Sequence, residues 1–155
     1  MIAFYFSLLC LNTGVDLSEA TDAPPGIEKA LEFLVQGDAT KAEAIFQTIA
    51  TRREKDIKEA ATAYLHLGAL AFFTDTQKAL DAYRRATELD PDSPDGWNQL
   101  GRLLSRIGQI DKAFAAFRRV KAIGKRKEDK TILATAYSNL GVLYDSLLKN
   151  CPAAA

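Results

Sequence analysis

The residues that decide the fold lie in the stretch 94–127, PDGWNQLGRLLSRIGQIDKAFAAFRRVKAIGKRK. It holds two apolar motifs in succession, Trp97-x2-Leu100-Gly101 and Ala113-x3-Phe117-x2-Val120. Related motifs recur along the chain: Tyr64-x2-Leu67-Gly68, Ala79-x3-Tyr83-x2-Ala86 and Tyr137-x2-Leu140-Gly141-x2-Tyr144. Ala79 and Ala113 are 34 residues apart in the sequence, as are Tyr83 and Phe117. This period is typical of arrays in which each repeat is a pair of helices.

The glycines in the first motif predict a close approach of two antiparallel helices. A glycine in a helix interior is about 1 kcal/mol less favourable than alanine. Gly68, Gly101 and Gly141 occupy matching positions, which indicates that tight helix packing offsets this loss. Tyr83 and Phe117 are predicted to project from the second helix and fill the space between neighbouring pairs. One helix pair leaves much of its apolar surface exposed, so about three pairs are needed for a stable array.

The motifs resemble those of the tetratricopeptide repeat family, and residues 94–127 give the best single match. This stretch has the family's residues in the family's order: Trp97, Leu100, Gly101, Gly108, Ala113 and Phe117. It departs from the pattern at Leu104, where the family usually has tyrosine, and it lacks a proline at its end. The resemblance implies an all-α fold, a right-handed superhelical array of antiparallel helix pairs.

Segment boundaries follow from the same pattern. Residues 1–25 are predicted to be an apolar segment followed by a polar linker. The array is predicted over residues 26–148, as a degenerate repeat 26–59, repeats 60–93 and 94–127, and an incomplete repeat 128–148, followed by a tail at 149–155. Helices are expected at 26–36, 40–57, 59–73, 76–89, 94–107, 111–123 and 130–148, with a charged loop over 125–130. Ser93 is the predicted N-cap of the helix that begins with Pro94.

Charge and composition favour a binding function over catalysis. Twenty basic and twenty acidic residues cancel, so no overall field would attract nucleic acid or an anionic membrane. His66, Cys10 and Cys151 are the chain's only histidine and cysteines, and they do not have the spacing of metal ligands. Phosphate-binding glycine loops are also absent from the sequence. The sequence therefore predicts no enzyme activity, no catalytic residues, no metal and no cofactor.

The N-terminal residues 2–11 form an apolar run that is too short to span a bilayer. No Lys or Arg precedes Lys29, so the basic region of a signal peptide is missing. Free cysteines fit a reducing compartment, and the predicted location is the cytoplasm. The alternative is export or membrane association through this apolar segment.

The family resemblance also implies a binding site, because the first helices of tetratricopeptide repeats line a concave groove that typically holds an extended peptide. Here the first helix of the best-matched repeat would contribute a cationic, hydrogen-bonding stripe, and its neighbours an apolar wall. The predicted groove residues are Asn98, Arg102, Ser105, Arg106, Leu65, Ala69, Phe72, Phe73 and Ser138. The expected ligand is a protein segment or peptide that combines an acidic group with a hydrophobic residue. The alternative interpretation is that the two arginines are ordinary solvated charges.

One subclass of the family can be compared directly. Tetratricopeptide co-chaperones hold the acidic C-termini of heat-shock chaperones with a clamp of lysine, asparagine and arginine. The matching positions here carry Leu65, Ala69, Gln99, Thr135 and Asn139. The charged members of the clamp are missing, so the sequence argues against binding of chaperone tails.

The last predicted helix carries an apolar stripe without a following partner helix. The stripe consists of Leu133, Tyr137, Leu140, Tyr144 and Leu147. Either the array belongs to a longer one, or this face packs against another molecule. The alternative function is therefore a structural protein that self-associates through this helix.

Overall fold

Helices form both compact units into which the chain divides. A computed structural model describes residues 25–51 and 56–150. This part of the chain contains seven α-helices and no strand: α1 Pro25–Val35, α2 Ala39–Thr51, α3 Ile57–Ala71, α4 Thr76–Leu89, α5 Pro94–Arg106, α6 Ile110–Arg126 and α7 Lys130–Asn150. The first unit ends at Pro91 and contains α1–α4, whereas the second begins at Asp92 and contains α5–α7. The predictions for residues 1–24 and 151–155 lie outside the described residues.

The first unit consists of two consecutive helix pairs. Helix α1 packs on α2, α3 packs on α4, and α2 also packs on α3. Apolar side chains from all four helices meet in one core, which includes Ile27, Ala30, Ala42, Phe46, Ile49, Ala50, Ala63, Leu67 and Ala82. Phe46 is fully buried in this core. The predicted degenerate repeat 26–59 therefore contributes to it together with the repeat 60–93.

Turn and cap residues set the ends of these helices. Gly37 has a φ of 81°, which lets the chain reverse between α1 and α2. Asp56 accepts hydrogen bonds from the N–H groups of Lys58 and Glu59, 2.9 and 3.2 Å long, and so caps the start of α3. Asp75 caps α4 by accepting from the N–H of Lys78 at 2.9 Å. Side-chain caps thus begin both helices of the second pair.

The second unit is a helix pair followed by a single helix. Helix α5 packs on α6, α6 packs on α7, and α5 and α7 also touch. Ser93 Oγ accepts from the N–H of Gly96 at 3.2 Å, and Pro94 occupies the first turn, which confirms the predicted start of this helix. Gly108 has a φ of 77° in the turn between α5 and α6. The core is formed by buried residues of all three helices, including Leu103, Phe117, Val120, Ala136 and Leu143.

Two predicted boundaries are wrong. The second predicted helix was expected to continue to Ile57, but Ile57 is the first residue of α3, because Asp56 caps the helix there. The charged stretch 125–130 was expected to be a loop, but α6 continues to Arg126 and only residues 127–129 separate it from α7. Gly124 is buried against Ile132 and Leu133, and this contact holds the last turn of α6 in place. Helix α7 also extends two residues beyond the predicted end at 148.

None of the helices in the described ranges is both long enough and apolar enough to cross a membrane.

Candidate functional site

Two glycine–aromatic contacts position the first helices of the pairs α3–α4 and α5–α6. An added Cβ at Gly68 would lie 2.4 Å from Cε1 of Tyr83, and one at Gly101 would lie 2.7 Å from Cε1 of Phe117. Real Cβ atoms do not approach other atoms this closely, so glycine is required for the observed distance between the helices. This contact sets the distance between α5 and α6, and the predicted cationic stripe lies on an adjacent side of α5, since Arg102 is about 100° around the helix from Gly101.

The polar stripe of α5 is accessible along its length. Asn98, Arg102 and Ser105 are half-buried and Arg106 is exposed, whereas Leu100 and Leu103 on the other side of the helix are buried. Asn98, Arg102 and Arg106 follow each other at intervals of four residues and therefore lie on one side of α5. Nη1 of Arg102 also lies 3.4 Å from Oε1 of Gln99, a long hydrogen bond within the same helix.

A hydrogen bond between two asparagines joins this stripe to α7. Nδ2 of Asn139 donates to Oδ1 of Asn98 at 2.7 Å, and both side chains are half-buried. The bond connects residues that are 41 positions apart, so it fixes the spacing of two first helices from successive repeats. Asn139 was not among the predicted site residues. Gly101 and Gly141 of the repeated motif are 40 residues apart, and the same spacing leads from Asn98 to Ser138, the predicted groove residue on this helix. Ser138 is exposed on α7.

The amide pair has the chemistry to recognise a peptide group. Each asparagine has an NH2 group and a carbonyl oxygen, and the observed bond uses one group of each. Among the residues that the structure describes, the NH2 of Asn98 and the carbonyl oxygen of Asn139 have no hydrogen-bond partner, so both can bind a ligand. A donor and an acceptor side by side match the C=O and N–H of an extended backbone. Arg102 and Arg106 add positive charge toward the C-terminal end of α5.

The predicted apolar wall lies in the first unit, on and just after α3. Leu65 and Ala69 are half-buried, Phe72 is 8% exposed and Phe73 is 54% exposed. The rings of Phe72 and Phe73 pack edge to face, with centroids 4.8 Å apart. Phe73 therefore presents an accessible ring, whereas Phe72 supports it from the interior.

His66 is a core residue. Its ring stacks on Phe46 with centroids 4.7 Å apart and planes 11° apart. Burial lowers the pKa of His66 to about 4, because the charged imidazolium would lose its hydration. Within the described ranges, no three His, Cys, Asp or Glu side chains come together in a way that could hold a metal ion.

Helix α7 has one buried and one open side. Ala136, Leu140 and Leu143 are buried, in agreement with an apolar face that packs on α6. Several large apolar side chains of the same helix are exposed: Tyr137, Val142, Tyr144, Leu147 and Leu148, by 52, 61, 54, 40 and 75% respectively. Tyr137 and Tyr144 lean on α6, where Lys121 Nζ lies 4.7 Å from the Tyr137 ring centroid and Phe114 lies 4.8 Å from that of Tyr144.

Comparisons with known proteins agree with the helix-pair fold. Two family models, both described as tetratricopeptide repeat, match residues 62–93 and residues 82–115. Residues 62–115 thus carry tetratricopeptide repeats. The first match covers α3, α4 and the turn that follows, and the second runs from α4 through α5 into the start of α6.

A solved structure titled "Crystal structure of MamA" is similar to this chain. It matches with a TM-score of 0.51 and 22% sequence identity, over 96% of this chain and 87% of that chain. At this identity the likeness shows the fold, which is all-α and built as in tetratricopeptide repeat proteins. The search of curated proteins gave no match. The repeats support a role as a protein-interaction scaffold.

Proposed function

We propose that the protein is a non-catalytic scaffold that binds an extended segment of a partner protein along α5 and α7. The observation that carries this proposal is the Asn98–Asn139 pair. Its remaining donor and acceptor match the C=O and N–H of one ligand residue, which point to the same side of an extended chain, and a half-buried position strengthens such bonds relative to water. Main-chain recognition of this kind is independent of ligand sequence, so specificity has to come from neighbouring side chains.

Arg102 and Arg106 supply that specificity in this proposal. Both lie on the same side of α5 as Asn98, one and two turns further along the helix. Their guanidinium groups have the planar geometry that binds a carboxylate through two parallel hydrogen bonds. The favoured ligand carries Asp, Glu or a terminal carboxylate about two residues from the residue held by the asparagines, because two helical turns span about 11 Å. A residue of an extended chain spans about 3.3 Å, so a carboxylate side chain covers the rest of the distance.

The first unit keeps a predicted contact for a hydrophobic residue of a partner protein. It consists of the apolar residues Leu65, Ala69, Phe72 and Phe73. Phe73 is the accessible member of this group.

Two basic residues of α6 provide a control for the effect of charge at Arg102 and Arg106. Lys112 and Arg118 are exposed, but they lie on the other helix of the pair.

The test is a selection of peptides from a random display library on the wild-type protein, followed by affinity measurements with two variants. Arg102→Glu with Arg106→Glu reverses the charge of the proposed site. Lys112→Glu with Arg118→Glu makes the same change in net charge on α6. The selected peptides should contain a carboxylate, and their affinity should fall at least about tenfold with the first variant and hardly with the second. Equal losses in both variants, or selected peptides without acidic residues, would contradict the proposal. Circular dichroism of each variant establishes that the helices are intact.

A further inference from the structure

Gly141 differs from the two glycines that precede it in the repeat pattern. Gly68 and Gly101 each lie directly under an aromatic ring from the next helix, whereas no atom of the described residues lies within 4 Å of a Cβ added at Gly141. The three glycines follow the same motif, an aromatic residue four positions before and leucine immediately before. The sequence therefore provides three equivalent glycine sites that can pack against an aromatic ring. Within the described residues, the sites at Gly68 and Gly101 are occupied by a ring and the site at Gly141 is not.

We propose that a second copy of this chain packs an aromatic ring against Gly141, through an antiparallel pairing of two α7 helices. Tyr137, Gly141, Tyr144 and Leu148 follow each other at intervals of four, three and four residues and therefore form one stripe on α7. The three large side chains of the stripe are each more than half exposed. This stripe, called the open stripe below, is complementary to itself.

The complementarity follows from the spacing. When the two-fold axis passes between Val142 and Leu143, Gly141 of one copy faces Tyr144 of the second copy, because both lie 1.5 residues from the axis. In the same register Tyr137 faces Leu148 of the second copy, both 5.5 residues from the axis. Each glycine thus receives an aromatic ring, which is the arrangement that the chain uses at Gly68 and Gly101.

The surface available to this pairing is sufficient for a weak dimer. The exposed parts of the open stripe and of Leu147 beside it amount to on the order of 1,000 Å² in two copies, near the lower limit for specific protein interfaces. The stripe itself contains no charged residue. Nζ of Lys121 lies 4.7 Å from the Tyr137 ring centroid, and its long side chain lets this ammonium group stay in water when two copies pair. A dissociation constant in the micromolar range is expected.

The test is sedimentation equilibrium of the full-length chain in the presence of a reductant, at about 1 to 200 μM. Wild type should change from one to two chain masses over this range. Gly141→Glu, which adds a charge in open space on the stripe, should weaken dimerisation by at least about 100-fold, because the two glutamates would be buried in the same interface. Val142→Glu is the matched control. It adds the same charge at an exposed position one residue away, about 100° around the helix and off the stripe.

The register is tested separately. Leu148→Glu should also weaken dimerisation. A mixture of equal amounts of the two single variants Leu148→Lys and Tyr137→Glu should form a mixed dimer, in which the lysine of one chain faces the glutamate of the other. A wild-type chain that stays monomeric overturns the proposal, as does dimerisation that is unaffected by Gly141→Glu. Equal losses with Gly141→Glu and Val142→Glu overturn the proposed stripe. These outcomes are independent of the proposed peptide binding, because sedimentation is measured without a peptide and Asn98, Asn139, Arg102 and Arg106 are left unchanged.

Discussion

The ring of Tyr83 lies directly over Gly68, and a Cβ at position 68 would be within 2.4 to 2.9 Å of three of its carbon atoms. Tyr83 is 1% exposed, so the ring is enclosed by other side chains and has little room to move away. The distance between α3 and α4 is therefore set by the absence of a side chain at one position. This explains why a residue that is unfavourable in helices occurs in the middle of α3.

We expect Gly68→Ala to destabilise the protein although alanine is the better helix former. Forcing the Tyr83 ring to move costs about 1–3 kcal/mol, and the gain in helix propensity is about 1 kcal/mol, so the net loss should be at most about 2 kcal/mol. Gly141→Ala is the control, since its Cβ meets nothing within 4 Å among the described residues. At about 1 μM, where the proposed dimer has dissociated, it should stabilise the chain by about 0.5–1 kcal/mol. Urea unfolding followed by circular dichroism measures both. A stabilising Gly68→Ala would show that the helices are not in tight contact there.

We expect the stability of the protein to fall as His66 becomes protonated in the unfolded chain. The pKa of His66 is about 4 in the folded protein and 6.5 for the model residue. The folded-state value is the lower one, so the stabilisation is complete above about pH 6.5 and is lost as the pH falls toward 4. Between about pH 7.5 and about pH 5 the free energy of unfolding should decrease by about 2 kcal/mol through this residue.

The measurement is urea unfolding over this pH range for wild type and His66→Phe. Phenylalanine keeps the stacking on Phe46 and cannot be protonated, so the variant should lose most of the pH dependence. Most carboxyl groups protonate below this range, and they would affect both proteins equally. The same slope in both proteins would mean that His66 is not the group responsible.

The fold was predictable because its determinants are local and periodic. The spacing of Gly68, Gly101, Tyr83 and Phe117 identified the helix pairs, and Ser93 with Pro94 marked a helix start that the structure confirms. The break before α3 was predicted too late in the sequence, at residue 58 between helices expected at 40–57 and 59–73, although Asp56 is followed three residues later by Glu59, a pattern that favours a helix N-terminus. The cap at Asp56 was overlooked.

The site was predictable only in part. Helical periodicity placed Asn98, Arg102 and Arg106 on one side of α5, but the partner of Asn98 depends on the relative shift of α5 and α7. The repeat spacing favoured Ser138, whereas the structure has Asn139, one position further. Phe72 and Phe73 are another case, since the end of α3 at Ala71 leaves one ring buried and its neighbour exposed. A difference of one residue in register is beyond what a sequence pattern can resolve.

We expect Asp56→Ala to destabilise the first unit by about 1 kcal/mol, because two N–H groups at the start of α3 would lose their acceptor. Asp56→Asn retains an acceptor oxygen and is the control, with an expected loss of a few tenths of a kcal/mol from the reduced interaction with the helix dipole. Thermal unfolding followed by circular dichroism distinguishes the two. Equal losses in both variants would assign the effect to the charge of Asp56 rather than to its hydrogen bonds.

We expect the Asn98–Asn139 bond to be measurable as a coupling between the two positions. In a double-mutant cycle with Asn98→Ala and Asn139→Ala, the effects on the free energy of unfolding should be non-additive by about 0.5–1.5 kcal/mol, the usual contribution of such a hydrogen bond. Ser138 lies next to Asn139 but is exposed, so a cycle with Asn98→Ala and Ser138→Ala should be additive within about 0.3 kcal/mol. Urea unfolding of the five variants and wild type gives both cycles. Additivity in the first cycle would mean that the asparagines do not hold α5 and α7 together, and the pair would then offer a ligand no preformed donor and acceptor.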